Sequence, residues 1–173
     1  PYRIIFNGMG QGDINTTPLQ MANYTAIIAN KGFFYTPHIV HQIDGKPLTD
    51  STFMVKKNTL VDPKHFDIIH RGMRNVFTMG TARSFDTSTF IQLGKTGTSQ
   101  NSHGQDHSLF VLFAPADKPK IAIAAIIENG SWGTTYAGPM ASLIAELYVT
   151  DTIKRPGLVE RMKAGNLQGE YRR

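Results

Sequence analysis

Apolar positions along this chain follow two patterns: a three-and-four spacing typical of helices, and short dense runs typical of strands. The first helical stretch opens at Thr17-Pro18-Leu19-Gln20. Thr17 is placed to cap, Pro18 suits the first helical position, and Gln20 completes a capping box. Leu19, Ala22, Ala26 and Ala29 continue the apolar face, flanked by Met21 and Ile27, and Gly32 after Asn30-Lys31 predicts a C′ stop. Phe33 to Ile43 reads as extended, with Pro37 arguing for an edge or a break. Asp44-Gly45-Lys46-Pro47 reads as a turn.

A second helix is predicted over 63–79, with Asp62 as N-cap and Pro63 at its first position. Phe66, Ile69, Met73, Val76 and Phe77 keep the helical spacing, and Gly80 ends it. Thr89 to Leu93 reads as a strand that runs on through Gly94-Lys95-Thr96-Gly97-Thr98 into a polar loop, 99–107. Leu109–Phe113 and Ile121–Ile127 are two strong strands, joined by a Pro115–Pro119 loop short enough for an antiparallel hairpin. Both runs are nearly all apolar, so the sheet is expected to be covered on both faces. A glycine-rich turn, 130–138, leads to a final helix from Pro139 to Val149. The order predicts an α+β fold, an antiparallel sheet with packed helices.

Composition narrows the classes. The chain has 173 residues, room for one core or a large piece of one, and its 40% hydrophobic content argues against disorder. It has no cysteine, which excludes a disulfide framework, a thiolate nucleophile and thiolate metal sites. The net charge of +5 is uneven: residues 154–173 hold Lys154, Arg155, Arg161, Lys163, Arg172 and Arg173 against Glu160 and Glu170. The chain therefore divides into a nearly neutral body, 1–153, and a basic C-terminal tail, 154–173, read as a solvated, frayed terminus. The tail lacks the regular aromatic interleaving of single-strand nucleic-acid binders, so no nucleic-acid partner is expected. No run reaches the ~18 apolar residues of a spanning helix, and no signal-peptide pattern is read in these residues. The opening Pro1-Tyr2-Arg3 suggests a piece of something longer, with any targeting segment upstream.

Gly94-Lys95-Thr96 invites a phosphate-loop reading, which fails on spacing. The pattern needs a glycine five positions before Gly94, where Thr89 stands, and a helix opening at the lysine, where Gly97-Thr98-Ser99-Gln100-Asn101 is a poor start. On a strand, the same residues suit a different chemistry. Lys95 with the hydroxyls of Thr96 and Thr98 suits a terminal carboxylate. Gly97 has no Cβ, so an extended peptide can lie against the strand. The backbone amide of Thr98 can point into an oxyanion hole, and Ser99 can line the cleft. His103, Asp106 and His107 read as a polar loop, with no metal or cofactor expected. His38, His41, His65 and His70 read as packing or surface residues, Trp132 and Tyr136 as a cap on the core, and the methionines as core filler.

Lys-Thr-Gly on a strand is one of three signatures of penicillin-interacting serine enzymes, beside S-x-x-K and a Ser-x-Asn type element. The surroundings resemble class B penicillin-binding proteins. The resemblance rests on Gly10-Gln11-Gly12, Thr17-Pro18-Leu19-Gln20-Met21-Ala22, Ala29-Asn30-Lys31-Gly32, Gly80-Thr81-Ala82, Gly94 to Thr98, and Phe110 to Pro115. Ile121 to Gly130, with its Glu128-Asn129-Gly130 ending, resembles the penicillin-binding protein 2 type. The resemblance covers residues 8–149, and His107 falls where the family often has a histidine bordering the cleft.

It implies a penicillin-binding transpeptidase-like (serine β-lactamase-like) fold, incomplete in this chain. The parent would be a D,D-transpeptidase that joins peptidoglycan stem peptides through a serine acyl-enzyme and binds β-lactam antibiotics. It would be anchored in a bacterial inner membrane, with this domain periplasmic, and could work with cell-elongation complex proteins. The nucleophile is not here. None of the serines (51, 84, 88, 99, 102, 108, 131 and 142) has a lysine three positions later. Ser99-Gln100-Asn101 spells Ser-x-Asn but follows the Lys-Thr-Gly strand directly, so it reads as the end of that strand and its loop. The chain is expected to hold one wall of the site, to be inactive alone, and to need the missing N-terminal part of the same protein. The alternatives are a β-lactam sensor module or a non-catalytic scaffold on this fold; a serine β-lactamase is disfavoured by segment 10–32.

Overall fold

The computed structural model describes residues 2–167. Its centre is a three-stranded antiparallel sheet in the order β5-β6-β7, formed by β5 (Leu93–Ser99), β6 (His107–Ala114) and β7 (Ile121–Ile127). Before it come α1 (Tyr2–Gly8), α2 (Pro18–Ala29), β1 (Phe33–Phe34), β2 (Gln42–Ile43), β3 (Lys46–Pro47), α3 (Ser51–Met54), β4 (Lys57–Asn58), α4 (Lys64–Thr78) and a 3-10 turn, Arg83–Phe85. After it come α5 (Ala137–Thr150) and α6 (Pro156–Lys163). The layout is the α+β arrangement expected, with helices on both sheet faces.

Alternation along β6 explains the two faces. Phe110, Leu112 and Ala114 point into a cluster with Ala137, Ala141 and Ala145 of α5, and with Phe77 and Phe85. The rings of Phe77, Phe85 and Phe110 meet edge-on with centroids 5.6–5.8 Å apart, a geometry that aligns ring edges with faces. Phe113 points the other way, into a cluster with Leu93, Ile28 and Ala29 of α2, and Phe66 and Met73 of α4. Helix α4 thus feeds both clusters, Phe77 into one and Phe66 and Met73 into the other.

Local signals hold where the chain itself supplies the partners. The Thr17–Gln20 capping box forms in both directions, with Gln20 Oε1 accepting from the Thr17 amide at 2.8 Å. Asp62 accepts from the Lys64 amide at 3.0 Å, but the N-cap of α4 is Pro63 rather than Asp62, and the helix starts at Lys64, one residue later than expected. Gly80 follows the end of α4 and lies close against it, where a Cβ would sit 2.8 Å from Val76 Cα. Asp44 (φ 49°) and Gly45 (φ 74°) make a two-residue turn between β2 and β3, the left-handed pair a tight hairpin requires.

Several expectations are corrected. The C′ position after α2 is Lys31 (φ 55°), not Gly32, whose amide instead bonds the Ile27 carbonyl at 2.9 Å, completing a Schellman closure. The stretch 33–43 is not one strand: only Phe33–Phe34 and Gln42–Ile43 pair. Strand β5 starts at Leu93, not Thr89. By its register, residue 91 would face Pro115, which has no N–H to donate; the Ile91 carbonyl bonds the Ala116 amide instead. Helix α5 begins at Ala137 and is not the last, since α6 follows. The short helices α1 and α3 carry no buried residue, which is why apolar periodicity did not announce them. Trp132 is 70% exposed rather than packed over the core as expected. Of the methionines only Met73 is buried, while Met9, Met54, Met79 and Met140 are exposed. The stretch 154–167 is not frayed: it contains α6 and the half-buried Arg155. Glu170, Arg172 and Arg173 of the tail lie outside the described residues.

Candidate active site

Among the described residues, strand β5 is the edge of the sheet, its ladder formed with β6. Its register pairs Lys95 with Val111, Thr96 with Phe110, Gly97 with Leu109 and Thr98 with Ser108. Two contacts fix which backbone groups face outward. The Thr96 carbonyl accepts from Lys95 Nζ at 2.9 Å, and the Thr98 carbonyl accepts from Gln11 Nε2 at 3.0 Å. In an antiparallel ladder a residue sends its N–H and C=O to the same side. The amides of Thr96 and Thr98 therefore also face the open edge, away from β6.

Side chains divide by the pleat. Lys95, Gly97 and Ser99 share the face with Leu93, the one that packs on α2; Thr96 and Thr98 point to the face with Phe110 and Ser108. Lys95 bridges the two by folding round the edge, its Nζ also 3.4 Å from Thr96 Oγ1. Gly97 has a packing role: a Cβ there would lie 2.5 Å from Leu109 Cδ2. Gly133 lies flat on the β5–β6 backbone, where a Cβ would come within 2.8 Å of the Gly97 carbonyl. The glycine-rich turn before α5 thus lies against the Lys-Thr-Gly strand.

A cavity of about 450 Å³ opens beside the strand end. Gly97, Thr98, Ser99 and His107 line one side, and Gln11, Asn15 and Thr16 the other, over a floor of Leu109 and Ile126. Lys95 and Thr96 sit farther up the strand, outside this lining. His107 is held by Nδ1, which accepts from the Asn129 amide at 3.0 Å; its other ring nitrogen then carries the proton in the neutral form. Asp106 accepts from the Asn101 amide at 3.1 Å and so closes the loop, while His107, expected in that loop, is the first residue of β6. His103 lies exposed in that loop. Ser99 ends β5, and Gln100 and Asn101 are in the loop beyond it. Asn101 Nδ2 donates to Asn129 Oδ1 at 2.9 Å, a loop-closing contact.

The residues sequence reasoning missed here are Gln11 and Gly133. Gln11 sits 87 positions from the strand it touches, and nothing in Gly10-Gln11-Gly12 states which strand the loop returns to.

Below the site, β5 is anchored by charge. Arg74 of α4 grips Asp86 with two nitrogens, at 3.0 and 2.7 Å, and donates to the Gln92 carbonyl at 3.3 Å. Burial alone would raise the Asp86 carboxyl pKa. Hydrogen bonds from Arg74, Gln92 and the Thr87 amide, with the Arg74 charge, outweigh it and hold the pKa below the ordinary value.

Comparison with known proteins shows the family. The profile of the penicillin binding protein transpeptidase domain matches residues 4–146. The peptidoglycan D,D-transpeptidase MrdA of Acinetobacter baumannii is 36% identical over 165 residues, covering 86% of this chain and 24% of that protein. A crystal structure of Pseudomonas aeruginosa PBP2 in complex with WCK 5153 superimposes with a TM-score of 0.77 at 39% identity, covering 89% of this chain and 36% of that one. The complex between penicillin-binding protein PBP2 and MreC from Helicobacter pylori gives 0.67 at 31% identity, covering 83% of this chain and 26% of that one. The chain belongs to the penicillin-binding protein transpeptidase family, and these matches are of the penicillin-binding protein 2 type. It spans about a quarter of the length of the curated relatives it matches.

Proposed function

We propose that this chain supplies the Lys-Thr-Gly wall of a serine-type peptidoglycan D,D-transpeptidase. The observation that carries the reading is the open edge of β5, where the Thr98 amide and carbonyl face away from β6 beside a cavity. An extended stem peptide can add to that edge as a further strand. Lys95 and Thr96 would hold its terminal carboxylate, with Thr98 adding its hydroxyl. The Thr98 amide would stabilise the oxyanion formed when a serine attacks the penultimate D-Ala carbonyl. Collapse of that intermediate expels the terminal D-Ala, and the acyl group then passes to an amine of a neighbouring stem. A β-lactam would enter the same place and leave its ring-opened acyl group on the serine. Gly97 leaves the strand surface low, and Ser99 lines the cleft.

The nucleophile and its lysine would come from residues outside this chain, since no serine here stands three positions before a lysine. An inner-membrane anchor, a periplasmic position for this domain and contacts with elongation proteins are part of the same proposal for the whole protein. The complex of a penicillin-binding protein 2 relative with MreC supports the last of these. Intact mass after incubation with benzylpenicillin tests the reading. The full-length protein should gain one penicilloyl group and the 173-residue chain none; an adduct on the chain would mean the nucleophile lies within it.

A further inference from the structure

We infer that a buried polar network running from Arg155 to Gln92 fixes the position of β5 along its own axis, and so positions Lys95 to Thr98. The inference rests on the transpeptidase reading above for its functional consequence, but not for its geometry.

Gln92 is fully buried and stands immediately before β5. Its side-chain nitrogen donates to the Phe85 carbonyl and to Asp86 Oδ1, both at 3.3 Å. Its side-chain oxygen accepts from Ser142 Oγ at 2.9 Å, and its main-chain carbonyl accepts from Arg74. Ser142, also fully buried on α5, is held in turn by Arg155, whose NH2 donates to its carbonyl and hydroxyl at 3.0 Å each. Arg155 NH1 reaches the Phe85 carbonyl at 2.7 Å, and Nε reaches Glu146 at 3.0 Å. Gln92 is therefore tied to α4, to the 3-10 turn, to α5 and to the segment before α6.

Such a lock has a reason to exist here. Among the described residues strand β5 is paired on one side only, and two of its seven residues are glycines, Gly94 and Gly97. Edge strands poor in side chains specify their register weakly. A buried hydrogen-bonded network has few good arrangements, because each further partner left unpaired costs a desolvation penalty. Lys95 lies three residues from Gln92, about 10 Å at strand rise, so any slip at Gln92 passes directly to it.

Ser142→Ala tests the idea, since it cuts the link between Gln92 and Arg155 with little change of volume. In the full-length protein, well below the melting temperature, benzylpenicillin acylation is expected to fall by about 10- to 100-fold, the scale of a small misplacement. Benzylpenicillin methyl ester, which lacks the carboxylate that Lys95 and Thr96 would hold but still uses the Thr98 amide, should lose less than the acid. A general loss of folded protein would lower both equally. Unchanged acylation, or an equal loss for acid and ester, overturns the inference. If the wild-type protein is not acylated at all, the transpeptidase reading falls, and hydrogen exchange decides the network alone. Faster exchange of the Lys95 and Gly97 amides in Ser142→Ala, with α2 unchanged, supports it; unchanged exchange at β5 overturns it.

Discussion

Arg155 Nε meets Glu146 Oε2 at 3.0 Å, with the Glu146 side chain wholly buried and the Arg155 side chain 17% exposed. The pair fastens the segment after α5 to the helix it has just left. The other Glu146 oxygen is buried without a hydrogen-bond partner among the described residues, so the carboxylate depends on Arg155. Removing one member of a buried pair strands the other charge, at a cost of about 3–5 kcal/mol. Arg155→Met should destabilise the protein on that scale in denaturant titration. Adding Glu146→Leu should recover a large part of the loss; a double variant no more stable than Arg155→Met would show that the ion pair is not the source.

Glycines in this fold separate into those the packing demands and those it does not. A Cβ on Gly94 would sit 2.6 Å from the Val111 carbonyl and 2.7 Å from the buried Phe110 ring. Gly94→Ala should cost about 1–3 kcal/mol by overpacking. Gly157, near the start of α6, meets nothing within 4 Å. Gly157→Ala should leave stability unchanged or raise it by about 0.4–1 kcal/mol through the unfolded chain. Equal costs at the two positions would contradict the packing described.

Asp86 sets an acid limb. Its folded pKa lies below its ordinary value of 3.8, so its partners stabilise the folded state at pH well above 3.8. That contribution declines as pH falls below 3.8 and is gone below the folded pKa. Asp86→Asn should therefore be less stable than wild type at neutral pH, with the gap closing on acidification. Unfolding curves over a pH series check it; a gap constant with pH would mean the carboxylate charge is not what Arg74 uses.

What could be read from the chain in advance was local. The Thr17–Gln20 box, the β6–β7 hairpin and the polar loop after Ser99 each depend on residues a few positions apart, so pattern sufficed. Lys95 to Thr98 was placed on a strand for the same reason. What was not legible depends on partners distant in sequence. Gln11 meets Thr98, and Arg155 meets the Phe85 carbonyl 70 positions back. A charge count assigned Arg155 to a solvated tail, because charge alone cannot show that a buried carboxylate waits on α5. The upstream limit of β5 was missed because it is set by Pro115 on the opposite strand, not by residues 89–92.

The most direct test is labelling of the full-length protein with a fluorescent penicillin, comparing wild type with Lys95→Ala at equal concentration of folded protein. Wild type should label rapidly, and the variant should lose about 100-fold or more, the scale of removing a charged contact from a positioned site. Labelling of Lys95→Ala at the wild-type rate would contradict the role given to the open edge of β5.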